Sequence, residues 1–223
     1  MDTELVTAKK YGLFWTWSYV DDEVAGSIAD GFYIYQPDRF WEPFWEVFDK
    51  LGQLNNYCFN QLVASESKLS ELQAEYGLAV EEKNARAEVF DYLSEEVPAW
   101  ENNVATFAKA APIILLASFT EWGLKHIAIM LFGGAPKKTE RGMSDIKFYL
   151  LHLVNCGLEV KNTDELLSRV VTFRSIRNDF AHGKWNELEI GLQALSLREA
   201  FTSVSAMFEA IEDAAWRRGE ALA

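Results

Sequence analysis

The sequence predicts an all-α protein, and three observations lead to this fold class. Apolar residues after position 38 recur at three- and four-residue spacing, as in amphipathic helices. The segment 100–132 is the most apolar element of the chain. Proline and glycine interrupt the apolar segments where helices commonly begin and end. With 223 residues, 49% of them hydrophobic, the chain can bury a core, and we expect a helical bundle.

The first 38 residues differ in pattern from the rest. Tyr11–Val20 alternates, with Leu13, Trp15, Trp17 and Tyr19 on one side, and Gly31–Tyr35 is a second aromatic, β-prone run. The acidic segment Asp21–Asp30 lies between them. This pattern predicts either a short β-hairpin with a ten-residue connection or an extended arm. We therefore divide the chain into this arm (1–38), long amphipathic helices (39–99) and a helical core (100–223), with 39–99 and 100–223 forming one compact unit.

The middle segment predicts long helices. An apolar stripe runs through Phe40, Phe44, Phe48 and Leu51 and continues toward residue 93. Two long helices fit this pattern, and so does one long helix with a weak point at Gly77. In either case the pattern predicts an end before Pro98.

Further helix boundaries follow from short local signals. In the apolar segment 100–132, Pro112 either starts a new helix or kinks one. Ser144 is expected to cap a short helix. Asn162 with Glu165, and Ser196 with Glu199, each have the spacing of a capping box. The helix that starts at the first of these boxes is expected to end at Ala181, because Gly183 is a favoured C-terminal signal.

The charge distribution restricts the function. The net charge of -13 disfavours a general nucleic-acid binder, since phosphate contacts dominate that affinity. Residues 121–185, however, hold 10 Lys and Arg against 7 Asp and Glu, so this segment alone is basic. An acidic body with one basic segment suits an enzyme that acts on selected RNA, although acidity also serves solubility alone.

The remaining composition favours a reduced cytoplasmic location without a membrane anchor. The N-terminus is acidic and lacks an apolar leader core, and the apolar run Ala110–Phe119 is about half a membrane span. Cys58 and Cys156 lack the spacing of a CxxC pair. His152 and Cys156, four residues apart, could form half a metal site, but no complementary pair lies nearby, so we expect no metal. His126 is expected to be a packed histidine.

The segment that carries chemistry is the end of the helix that reaches Ala181. Arg174, Asn178 and His182 are spaced by four residues and share one helix face. Arg177 is about 140° away from His182 on an ideal helix with 3.6 residues per turn. Its long side chain can still reach the same rim. A guanidinium and an imidazole at one helix end can together hold a phosphodiester and move protons.

The six residues Arg177-Asn178-Asp179-Phe180-Ala181-His182 resemble the Arg-x4-6-His signature of the HEPN superfamily, including the polar residue that follows the arginine. Ser118 and Glu121 resemble the Ser-x-x-Glu helix that often precedes the motif in bacterial members. The resemblance covers roughly residues 100–215.

The resemblance implies a metal-independent, cofactor-free endoribonuclease that acts as a homodimer, with two motifs facing each other across a cleft. His182 would transfer protons, Arg177 would bind the phosphate, and Asn178 would orient either group. Glu121 would anchor the motif from the neighbouring helix. We add Arg174 as an RNA-binding residue from its spacing. A bacterial toxin or anti-phage effector, silenced by an antitoxin or regulatory protein, is the expected role.

One position departs from the family, and one alternative stays open. Some toxin members carry a tyrosine two residues after the histidine, whereas this chain has Lys184, which we expect to contact RNA phosphate instead. The alternative is a structural pair, in which Arg177 bridges to Asp179 or Glu121 and His182 interacts with the helix dipole. The protein would then be a non-catalytic helical dimer or adaptor.

Overall fold

The computed structural model describes residues 6, 10, 19–20, 23–24, 35–82, 87–134, 136–137 and 142–222. Within these residues the chain is all-α, as predicted, apart from two very short strands. The elements in chain order are β1 (Tyr19–Val20), β2 (Glu23–Val24), α1 (Glu42–Glu81), α2 (Ala87–Ala105), α3 (Phe107–Phe132), α4 (Asp145–Asn155), α5 (Thr163–Ala181), α6 (Trp185–Ala194) and α7 (Leu197–Leu222).

The two strands pair antiparallel, with Tyr19 opposite Val24 and Val20 opposite Glu23. Strand β2 thus falls inside the segment 21–30 that was predicted to be a connection. Tyr35, the last residue of the second aromatic run, is not part of a strand. The rest of the predicted hairpin or arm lies outside the described residues.

One large hydrophobic core unites most of the helices. It includes residues of α1 and of α3 to α7, so the segments 39–99 and 100–223 share it. The largest fully buried side chains in it are Tyr35, Phe44, Phe173, Phe201, Phe208, Leu51, Leu62, Ile113, Leu116 and Leu124. Helix α3 is central, because it packs against α1, α2, α4, α5 and α7.

Helices α1 and α2 form a long hairpin with its own smaller apolar cluster. Leu72 and Ala79 of α1 pack with Leu93 and Val97 of α2, apart from the main core. We call these four buried residues the distal cluster. Partly buried aromatic residues, including the stacked pair Tyr76 and Phe90, surround it.

One predicted helix end needs correction, and two open alternatives are settled. Two long helices are present, as one alternative predicted, and α1 continues through Gly77 to Glu81. Helix α2 continues through Pro98, although an end was predicted before it. Pro98 is tolerated because it lies on an exposed face, where water can bond to the carbonyl that loses its N–H donor. The break in the apolar segment comes at Thr106, and the buried Pro112 lies inside α3 and does not start a new helix. Helix α2 also crosses position 99, where we divided the chain.

Two of the three capping predictions are confirmed, and the third is wrong. Ser196 and Glu199 form the predicted capping box: Glu199 N–H donates to Ser196 Oγ at 3.1 Å, and Ser196 N–H donates to Glu199 Oε2 at 3.0 Å. Ser144 accepts the Lys147 N–H at 3.2 Å. Asn162 does not cap α5, because its backbone is left-handed (φ 56°) and its side chain makes no capping bond. Glu165 pairs with Arg169 instead.

A close helix–helix approach fixes α3 against α7. A Cβ atom placed on Gly123 of α3 would lie 2.6 Å from Cζ of Phe208 in α7. The Phe208 ring is buried between Tyr35 and Phe119, at centroid distances of 6.1 and 5.8 Å. Only glycine therefore allows this packing without a shift of the ring.

The segment before α1 is held by buried polar contacts to α7. Tyr35 Oη donates to Glu212 Oε2 at 2.6 Å, and Tyr35 N–H donates to Ser205 Oγ at 2.8 Å. The Arg39 guanidinium lies 4.2 Å above the Trp216 ring. Burial raises the pKa of Glu212, and the Tyr35 hydrogen bond offsets part of that rise.

One stretch of the described chain, Ala87–Phe132, is long and apolar enough to cross a membrane by length and composition. The buried core helix of a soluble protein passes the same test.

Candidate functional site

Helix α5 positions the motif because one face of it belongs to the core. Leu166, Val170, Phe173 and Ile176 are buried along that face. The helix ends at Ala181, and Gly183 follows with a left-handed backbone (φ 65°), as its position predicted. Gly183 N–H donates to the Phe180 carbonyl at 3.2 Å, which closes the turn.

Arg177 lies on the core side of α5 and reaches across to α3. Its Nη1 donates to Glu121 Oε2 at 2.9 Å. The two side chains are 30% and 22% exposed, so the ion pair lies at the edge of the interior. The structure therefore brings Arg177 and Glu121 together, which is the contact expected of an anchoring glutamate and also of a purely structural pair.

His182 occupies a different side of the helix end. It is the C-cap residue of α5, and its N–H donates to the Asn178 carbonyl at 2.9 Å. The residue is exposed, and its imidazole has no hydrogen-bond partner among the described residues. Asn178 and Arg174 precede it by one and two turns and are partly buried. Arg177 points toward Glu121, so the structure does not bring its guanidinium to the imidazole of the same chain.

Asp179 and Lys184 interact with each other and not with the arginine. Ser175 Oγ donates to Asp179 Oδ2 at 3.1 Å, and Lys184 Nζ lies 3.8 Å from Asp179 Oδ1. The Lys184 side chain is 56% exposed. Of the two partners expected for Arg177, Glu121 and not Asp179 therefore forms the ion pair.

Helix α6 was missed by the sequence analysis, although it begins directly after the motif. Trp185, Leu188 and Leu192 have helical spacing, a signal that could have identified it. Its N-cap residue, Lys184, provides no side-chain capping bond. Helix α6 therefore begins three residues after His182, and the Lys184 side chain does not cap its first N–H groups.

Three aromatic rings meet beside the motif. Phe107 of α3, Phe180 of α5 and Trp185 of α6 contact one another at centroid distances of 5.7 to 6.0 Å, in edge-on or tilted orientations. We call these residues the aromatic cluster. Phe107 and Trp185 are each 46% exposed.

Two neighbouring cavities lie along α6, and Glu189, one helical turn after Trp185, lines the first of them. A cavity of about 290 Å³ lies between the end of α2, the start of α3 and α6. A neighbouring cavity of about 400 Å³ extends the groove toward Ser196. We call the two together the α6 groove. The first cavity is lined by Asn102, Ala105, Thr106, Lys109, Glu189, Leu192 and Gln193.

The other two histidines lie outside this site. His152 Nε2 is 3.5 Å from Cys156 Sγ, so the two side chains do meet. No group of three or more His, Cys, Asp or Glu that could hold a metal occurs among the described residues. His126 stacks on Trp122 at a centroid distance of 5.2 Å. Its Nε2 lies 2.7 Å from Glu46 Oε2, at an ion-pair distance but without hydrogen-bond geometry.

Comparisons with known proteins identify no relative. No protein-family model matches the chain, and neither a curated protein nor a solved structure is significantly similar to it. The resemblance to the HEPN superfamily therefore depends on the motif residues and their setting alone.

Proposed function

We propose that the protein is a metal-independent endoribonuclease of the HEPN type that acts in the cytoplasm as a toxin or anti-phage effector. The observation that carries the proposal is the position of the motif. His182 lies exposed at the end of a core helix with an imidazole that no described side chain engages, and Arg177 is fixed one turn earlier.

In this proposal His182 takes the proton of the ribose 2′-hydroxyl. The 2′-oxygen then attacks phosphorus, the bond from phosphorus to the 5′-oxygen breaks, and an acid returns a proton to that oxygen. The products are a 2′,3′-cyclic phosphate and a free 5′-hydroxyl. The requirement for a 2′-hydroxyl makes the enzyme selective for RNA.

Arg177 stabilises the charge that develops on the phosphate. Its pair with Glu121 uses Nη1, and the other N–H groups of the guanidinium remain to bind phosphate oxygens. Arg174 and Lys184 would add positive charge along the RNA backbone, and Asn178 would orient the imidazole or the phosphate.

A complete site in this proposal needs a second copy of the chain. Arg177 and His182 of one protomer point about 140° apart on an ideal helix. A homodimer with facing motifs would place the arginine of one protomer opposite the histidine of its partner. Sedimentation should therefore give a dimer at micromolar concentration, and a strict monomer would contradict a two-protomer site.

The direct test incubates the purified protein with total RNA in EDTA. We expect cleavage by the unaltered protein and a loss of about 10²–10⁴-fold with His182→Ala, the usual contribution of general acid–base catalysis. His152→Ala is the matched control, since that histidine contacts Cys156 away from the motif. Equal cleavage by the unaltered protein and His182→Ala, or no cleavage by either, would contradict the proposal.

A second candidate function is a non-catalytic helical dimer or adaptor of HEPN type that binds a regulatory protein. The Arg177–Glu121 ion pair favours it, because this contact gives the arginine a purely structural role. Arg177→Ala and Glu121→Gln separate the two candidates. A catalytic arginine predicts that Arg177→Ala abolishes cleavage and growth inhibition, while Glu121→Gln retains part of both.

A structural arginine predicts instead that both variants lower the thermal midpoint equally and that neither alters any activity on RNA. Arg169→Ala is the matched arginine control, because this exposed residue of α5 only pairs with Glu165 one turn away.

A further inference from the structure

The aromatic cluster leaves two of its three side chains partly open to solvent. Phe107 and Trp185 are each 46% exposed, whereas Phe180 is partly buried. Aromatic side chains with free faces beside a candidate RNA site are the surfaces on which unpaired bases stack.

The indole of Trp185 is directed toward the motif. A Cβ atom placed on Gly183 would lie 3.9 Å from Trp185 Nε1, so the indole nitrogen borders the turn that carries His182. No described residue accepts a hydrogen bond from this N–H. An exposed donor at this place can serve the sugar or phosphate of a nucleotide whose base lies on the ring.

The first cavity of the α6 groove offers polar groups for the edge of a base. Asn102 and Gln193 contribute amides, which can both donate and accept hydrogen bonds. Lys109 and Glu189 have opposite charges, so this cavity has no strong preference for an anion. A neutral heterocycle therefore fits this chemistry better than a phosphate does.

We infer that the aromatic cluster and the adjoining α6 groove form a nucleobase subsite for an unpaired nucleotide next to the cleaved phosphate. This inference rests on the proposed ribonuclease function and adds Trp185 as the residue on which an unpaired base stacks. A base in a continuous double helix cannot reach the ring, so duplex RNA is a poor substrate.

The test measures binding separately from cleavage. A short single-stranded 2′-O-methyl RNA, which cannot be cleaved by 2′-hydroxyl attack, is titrated against the full chain. Trp185→Leu keeps an apolar side chain against Phe107 and Phe180 but removes the ring face, and Trp185→Phe keeps a ring. Tyr92→Leu is the control, because Tyr92 is 59% exposed on α2 outside the cluster.

We expect Trp185→Leu to weaken binding by about 5- to 150-fold, the range found for base–aromatic stacking, while Trp185→Phe and Tyr92→Leu change it by less than about threefold. An abasic nucleotide at the stacking position should weaken binding to the unaltered protein. The same abasic nucleotide should have little further effect on Trp185→Leu. Thermal unfolding of each variant verifies that it is folded.

The outcomes separate this inference from the proposed function. Unchanged binding by Trp185→Leu, with RNA still cleaved by the unaltered protein, overturns the subsite alone. The expected binding pattern without any cleavage supports the subsite and overturns the ribonuclease. No binding of the oligonucleotide by the unaltered protein overturns the subsite, and cleavage of total RNA decides the proposed function independently.

Discussion

Replacing Gly123 by alanine should destabilise the protein, although alanine is the better helix former. The added methyl group would lie 2.6 Å from Phe208 Cζ, against 3.4–4 Å for an ordinary contact. The ring cannot move aside freely, because it is fully buried and packed between Tyr35 and Phe119. The strain must therefore be relieved by a shift of α3 relative to α7.

The magnitude follows from two opposing effects. Overpacking of a tight core costs about 1–3 kcal/mol, and we expect the upper part of that range for a confined ring. The higher helix propensity of alanine returns up to about 1 kcal/mol. The free energy of unfolding should thus fall by about 1–2 kcal/mol, which lowers the thermal midpoint by about 2–8 °C for a chain of this size.

Gly77→Ala provides a matched comparison within the same protein. Gly77 lies inside α1 on an exposed face, and nothing lies within 4 Å of a Cβ atom there. The same chemical change should therefore raise stability by about 0.4–1 kcal/mol. Differential scanning calorimetry of both variants measures the two effects, which we expect to have opposite signs.

A third measurement identifies the clash itself. Phe208→Leu removes the ring atoms nearest to Gly123, so Gly123→Ala should cost less in that background than in the unaltered protein. The reasoning is refuted if Gly123→Ala equals or exceeds the unaltered protein in stability. It is also refuted if the cost of Gly123→Ala is the same in both backgrounds.

Four other experiments test buried polar groups, a buried thiol and a helix cap. Burial raises the pKa of Glu212 above its ordinary value of 4.5, so the stability due to its protonated form is present below that pH and is lost as the pH rises through the raised pKa. Glu212→Gln should accordingly gain stability relative to the unaltered protein between about pH 4 and pH 7 in urea unfolding, and Tyr35→Phe should lose about 1–3 kcal/mol. Burial raises the pKa of the Cys58 thiol to about 12, so a thiol reagent at pH 8 should modify Cys156 first, as mass spectrometry of peptides would show. Ser196→Ala removes the side-chain oxygen of the capping box and should lower the free energy of unfolding by about 0.5–2 kcal/mol in the same urea assay.

Each of these expectations has a contrary result, and for Tyr35→Phe it is an unchanged urea midpoint. A constant stability difference between Glu212→Gln and the unaltered protein across the pH range would mean that the carboxyl titrates normally. Modification of Cys58 as fast as Cys156 would mean that α1 opens readily. An unchanged urea midpoint for Ser196→Ala would mean that water replaces the cap at no cost.

The fold class was predictable because apolar spacing reports helices directly. The end of α5 was equally predictable, since Gly183 adopts the left-handed conformation that its position indicated. The two prolines at which the sequence suggested helix boundaries lie inside helices. Pro98 is accommodated on an exposed face, and Pro112 lies inside α3 without ending it. Whether a proline ends a helix depends on the tertiary environment of its neighbouring carbonyl, which a local pattern does not contain.

The residues of the candidate site were proposed from the sequence, and most of their geometry was not predictable from it. The motif residues and Glu121 follow from sequence, and helical phase already separated Arg177 from His182. The aromatic cluster was not foreseen, because it joins residues 78 positions apart, at Phe107 and Trp185, through the docking of a short helix. Contacts of this kind depend on the packing of several helices together, and no local signal encodes them.

The distal cluster has a consequence for how the molecule opens. Among the described residues, the buried cluster at the far end of the α1–α2 hairpin has four members, whereas the base of α1 belongs to the main core. Regions with few buried apolar contacts open at a smaller free energy than the whole molecule does. Amide protons in the second half of α1 should therefore exchange with solvent earlier than those of α3, so the long helix behaves as two units of different local stability.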